Sequence, residues 1–346
     1  MRRLLFVLIF VLFLSVPVHA LDLTAPAVPD HAARFMPDSG ESFGAGLWEV
    51  FRDALMYFNP DLKDACSVCL GLFGVSMLVA IVKTLPGVTV RYMHLAATMA
   101  IGAILLEHTG SMISMAADAV AEIHNYGRLL LPVMSAALAA QGGVTSSAAI
   151  YAGTVVFNTV LSALITRGIV PLVYLFLAIS VGSAATGEDI LQRIGGFIKW
   201  AVSWCLKTVL YLFTGYISIT GVVSGTTDAA VLKATKLTIS GMVPVVGGIL
   251  SDASEAVLVG AGTVKNAAGI YGMYAVYAIC IGPFVQIGIP YLLLKCTGAL
   301  CEIVSGKEVS GLIANFSTAM GFLLAMTGTV TLMLMISLIC FMKGMG

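Results

Sequence analysis

Eight stretches of this chain are apolar over lengths that suit a bilayer crossing: residues 66–82, 92–106, 146–166, 169–185, 200–222, 267–286, 288–304 and 314–340. A helix crosses the hydrocarbon core with about 20 residues, and in lipid every backbone polar group must be satisfied inside the element. The sequence therefore predicts an all-α, polytopic integral membrane helical bundle. Composition agrees, with 59% hydrophobic residues against 10% charged, far from the balance of a soluble domain. The 18 basic and 18 acidic residues cancel, so no global field attracts nucleic acid.

Residues 1–20 join Arg2 and Arg3 to an apolar run and end in Val18-His19-Ala20, the small-residue pattern of a signal peptide cleaved after Ala20. An uncleaved anchor is the alternative. Residues 21–65 carry eight acids against Arg34, Arg52 and Lys63, as suits an extracytoplasmic segment. Its first half, to about Phe43, reads as a flexible linker. Leu47, Val50, Phe51, Ala54, Leu55 and Phe58 then recur at helical spacing and predict a short amphipathic helix at the outer surface. The multi-span domain occupies 66–346.

Two further apolar stretches, 129–140 and 241–262, are short or interrupted by Gly and Pro and read as half-helices or re-entrant hairpins. They head an internal repeat, about 129–222 and 241–340. Leu131-Pro132-Val133 answers Val243-Pro244-Val245, while Pro171, Gly187, Ile194 and Phe197 answer Pro290, Gly306, Ile313 and Phe316 at a constant offset of 119 residues. With residue 65 outside, the charges near the span ends make the two copies inverted. If one broken segment crosses, they are parallel.

Polar residues form two helical stripes. Ser111, Ser114, Asp118, Glu122 and Asn125 make an acidic one, either wet at the interface or lining an aqueous passage. Asp189, Gln192, Arg193, Gly196, Lys199, Ser203 and Lys207 make a basic one, whose lysines either snorkel to headgroups or turn into the bundle. Thr186-x-x-Asp189, Ser305-x-x-Glu308 and Asp252-x-x-Glu255 have capping-box spacing.

Charges among glycines at membrane depth mark the run from Gly215 to Glu255. Its candidates for a path or partner surface are Asp228, Lys233, Lys236, Pro244, Gly247, Gly248, Asp252 and Glu255. A solvated, capped loop helix is the plainer reading of the charges, and helix packing of the glycines. No phosphate loop, zinc helix or nucleophile elbow occurs, the five histidines are dispersed, and Cys66-Ser-Val-Cys69 has no second pair to complete a metal site. The expectation is a non-enzyme with no cofactor and no metal.

The runs Gly215–Gly225, Thr227-Asp228-Ala229-Ala230, Lys233-Ala234-Thr235-Lys236 and Val243–Glu255 resemble the stage III sporulation protein AE family of endospore-forming bacteria. The resemblance implies a multi-pass protein of the mother-cell membrane around the forespore. It also implies a channel-like, secretion-related complex whose partners are a secretion-type ATPase, ring-forming subunits and a forespore-side protein. It carries over no site residue. Rival readings are a secondary transporter of a small solute, which inverted repeats would suit, and a membrane scaffold that binds partner helices.

Overall fold

The structure, a computed structural model, describes residues 25–37, 43–83, 90–242 and 247–343, with the side chains of Asp61, 83–94, 221–265 and 307–308 excepted. Among these residues there are helices and no strands. They are α1 Asp30–Ala33, α2 Phe43–Tyr57, α3 Asn59–Lys83, α4 Val90–Ala140, α5 Val144–Leu164, α6 Val170–Thr186, α7 Asp189–Met242, α8 Gly247–Ser305 and α9 Lys307–Lys343. A π-helical turn, Ile165–Ile169, joins α5 to α6. Residues 1–20, and with them the expected signal peptide, lie outside the described residues.

Among the described residues, six helical stretches are long and apolar enough to cross a membrane, fewer than the eight expected. The difference arises because residues that break a hydropathy profile need not break a helix. Arg167 separated two expected spans, yet α5, the π turn and α6 form one 43-residue rod from Val144 to Thr186. Inside the turn the Val170 N–H reaches back five residues to the Ile165 carbonyl. The wide turn sits just ahead of Pro171, whose missing N–H would interrupt a regular ladder.

Pro132 likewise lies inside α4. The segment 129–140 is therefore the end of a 51-residue helix and not a half-helix or hairpin. A proline in a helix removes one hydrogen bond and crowds the preceding turn, and neighbouring helices can hold the rod together across the gap. Here Leu130, Leu131 and Met134 are fully buried around it, while Pro132 itself faces outward. Of the second expected break, Pro244 lies outside the described residues.

Three glycines with positive φ make the sharp links: Gly142 (92°), Gly187 (73°) and Gly306 (95°). Residues with a Cβ rarely adopt this left-handed geometry, which is how α6 and α8 stop and reverse. Gly187 and Gly306 were paired by the sequence repeat, and their geometry matches. Both lie at one end of the bundle, since Gly187 and Gly311 line a single cavity. The helices entering them run the same way, so these elements are parallel and not inverted. The paired prolines both lie within continuous rods, Pro171 just after the π turn in Val144–Thr186 and Pro290 inside α8.

The core forms where the α8–α9 hairpin packs on α4, and α5, α6 and α7 close the other side. Hydroxyls in these apolar helices are satisfied locally: Thr327, Thr331 and Ser337 each donate to the carbonyl four residues back. Thr154 Oγ1 and Ser337 Oγ, 2.9 Å apart, add a buried link between α5 and α9.

The amphipathic helix expected near the N-terminus is α2, which buries Gly46, Val50 and Ala54. The stretch before it is not a free linker. Residues 25–37 lie against the body, with Phe35 buried edge-on to Tyr57 and against Phe58. Ala32 is fully buried beside it and the Tyr126 hydroxyl donates to the Pro26 carbonyl, so several contacts dock a segment that has no periodic pattern of its own.

Candidate functional site

Most of the acidic stripe of α4 borders one open cavity. Ser111, Ser114, Asp118 and Glu122 line a cavity of about 650 Å³ whose other walls are α8 and the N-terminal segment. His31 Nε2 lies 3.1 Å from Glu122 Oε2, and Ser114 Oγ donates to Asp118 Oδ2 over 3.5 Å. His31, Arg34, Phe35, Tyr57 and Phe58 of the chain's own N-terminal part border the same cavity, which stays open enough to leave Asp118 exposed.

The basic stripe of α7 divides. Arg193 and Lys207 point outward, whereas Lys199 turns into the bundle, where its Nζ donates to Asn315 Oδ1 of α9 (3.2 Å) and sits 5.5 Å over the Phe176 ring. Around it a cavity of about 510 Å³ lies between α6, α7 and α9, with Ser180, Ser183 and Gln192 among its walls. A second cavity, of about 670 Å³, opens between α7, α8 and α9 and holds Ser203, Lys295, Glu302 and Thr318. The Lys295 ammonium donates to the Tyr291 hydroxyl at 3.4 Å.

The two spaces share Gly311 and Ala314 of α9. No side chain stands within 4 Å of where a Gly311 Cβ would project. Small residues at this crossing therefore leave the cavities side by side along α9, with a lysine facing each. A cation among apolar helices is costly unless it meets polar groups, and Lys199 meets Asn315 while Lys295 meets the Tyr291 hydroxyl.

The residues first singled out are not brought into this arrangement. Asp228, Lys233 and Lys236 fall on the part of α7, and Gly247, Gly248, Asp252 and Glu255 on the part of α8, whose side chains are outside the described residues. The expected box at Thr186 and Asp189 does not form. Thr186 Oγ1 donates to the Gly182 carbonyl and accepts from the Glu188 N–H, because α7 begins only at Asp189. Sequence reasoning passed over Lys295, Glu302 and Asn315. Lys295 and Glu302 are seven apart in apolar sequence, on one helix face, and that spacing was the available signal.

The description "Stage III sporulation protein AE" belongs to the family model that matches residues 40–344, most of the chain. The chain belongs to that family. A Bacillus subtilis (strain 168) protein of the same name is 26% identical over 227 residues, which cover 65% of this chain and 57% of that protein. The aligned part is thus a little over half of the relative's length. No solved structure matches. Family membership is consistent with a role in sporulation, and six described helices long and apolar enough to cross a membrane suit a multi-pass membrane protein. Both α9-side cavities lie inside the family match, whereas His31, which meets Glu122, precedes it.

Proposed function

We propose that the chain is a non-catalytic subunit of a channel-like complex in the mother-cell membrane that surrounds the forespore, where it borders or gates a polar path needed for forespore development. The observation that carries this reading is the pair of adjoining cavities along α9, each holding a lysine, with Lys199 turned inward on Asn315. Its partners in this reading are a secretion-type ATPase, ring-forming subunits and a forespore-side protein. The ATPase supplies the energy, since the sequence contains no phosphate loop.

A secondary transporter would draw its support from inverted repeats and discontinuous helices. The parallel Gly187 and Gly306 turns and the unbroken α4 lend that reading no support in these elements, and the second expected break at Pro244 lies outside the described residues. Substituting Lys199→Met separates the remaining readings, because it keeps the length of the side chain and deletes the charge. The path reading expects spore development to fail while the complex still assembles. Loss of assembly would instead make the chain a scaffold. In liposomes the purified chain is expected to move no solute until other subunits are added.

A further inference from the structure

The apolar rods are too long for one bilayer. Leu95–Ala140, Val144–Thr186, Asn266–Ser305 and Val309–Lys343 contain 46, 43, 40 and 35 residues. At 1.5 Å per residue that is about 50 to 70 Å of helix against about 30 Å of hydrocarbon. Among the described residues, Leu62–Val82, with 21 residues, is the stretch that fits the thickness.

Contacts between helices fix a common level midway along the rods. His108 of α4 lines one small cavity together with Ala65 of α3, Pro290 of α8 and Met320 of α9. Ser203 of α7 shares another with Tyr291 and Thr318. On the remaining rod, Phe157 packs on Phe213 and Phe176 lies under Lys199, so Arg167, midway between, stands level with Leu206. Exposed charges gather at this level from four rods, Lys63 and Asp64, Glu107, Arg167 and Lys207, and Lys295 follows about 7 Å beyond it toward Gly306. Trp200 and Trp204 stack on the outside there, 59% and 55% exposed.

We infer that this girdle marks one surface of the bilayer, so that lipid encloses only the half of the bundle between the girdle and the Gly187 and Gly306 turns. The other half stands beyond the hydrocarbon. Two observations choose the half. The short span of α3 lies wholly between the girdle and those turns. The N-terminal segment, with exposed Asp30, Arg34 and Arg52, packs on the opposite half, where Phe43 meets Tyr274 and His31 meets Glu122. Such charges are expensive against acyl chains, as are the exposed Asp118 and Arg128 of the same half. Stacked tryptophans beside lysines are what a headgroup region favours.

The chain has three tryptophans, and Trp48→Phe leaves Trp200 and Trp204 as the only indole fluorophores. In vesicles of phosphatidylethanolamine and phosphatidylglycerol, bromines near the acyl carbonyls are expected to quench this variant at least about twofold more than bromines near the chain ends. Trp204 is at the middle of the 32-residue stretch Asp189–Thr220, so a bilayer centred on that stretch would reverse the order and overturn the inference. Nitroxides provide a second measurement in a chain whose native cysteines are replaced. At Leu78→Cys, collisions with oxygen should exceed those with a water-soluble nickel chelate, the signature of lipid. At Ile219→Cys, 69% exposed in the other half, that signature should be missing, and its presence at both positions would also overturn the inference. Should the cysteine-free chain not fold, the tryptophan order alone decides.

Discussion

At residue 153 there is no space for a methyl group. A Cβ there would stand 1.9 Å from Tyr216 Cε1, and the ring cannot retreat easily, because its hydroxyl donates to the Ala149 carbonyl at 3.0 Å and its face meets Phe157. Gly153→Ala should therefore push α5 and α7 apart and destabilise the bundle by about 1–3 kcal/mol, read as a lower unfolding temperature in detergent. Gly215→Ala is the control, since nothing lies within 4 Å of its Cβ position. Removing that glycine's backbone freedom should leave stability unchanged or raise it by about 0.5–1 kcal/mol. Gly187 also has open space around it, but its φ of 73° is left-handed, so Gly187→Ala should cost about 1–2 kcal/mol through backbone strain alone.

Among the elements, α4 makes the sharpest prediction. If Pro132 were a functional break, Pro132→Ala would abolish sporulation. In a continuous helix with the proline facing outward, the change restores one backbone hydrogen bond and should leave sporulation intact while raising the unfolding temperature. The same helix shows what could be read in advance. Residues 92–106, 108–127 and 129–140 were each recognised by composition or period, and all three are helical, but that they form one rod was not legible. Hydropathy registers Pro132 and Arg167 as interruptions because it has no knowledge of the π turn or of the neighbours that hold the backbone across them. Helix α2 was legible from its spacing, whereas the docking of Phe35 was not, since a lone aromatic has no period. For the site, the stripe on α7 was visible, yet snorkelling and inward-facing lysines share one helix face, and only the position of Asn315 on α9 tells Lys199 from Lys207.

Across the whole molecule, the N-terminal segment borders the acidic cavity, held in part by aromatic packing at Phe35 and by the contact of His31 with Glu122. Phe35→Ala should release it without unfolding the bundle. Trypsin should then cut after Arg34 and Arg52 faster than in the parent chain, while the helical circular dichroism stays the same. Equal cleavage rates would mean that other contacts hold the segment. At the far end, α6 passes to α7 through Gly187 and Glu188, and α8 to α9 through Gly306 alone. Links of one or two residues have no slack, so neither helix of a pair can slide like a piston past its neighbour. Whatever widens or narrows the spaces along α9 must do so by tilting, with these two corners as pivots.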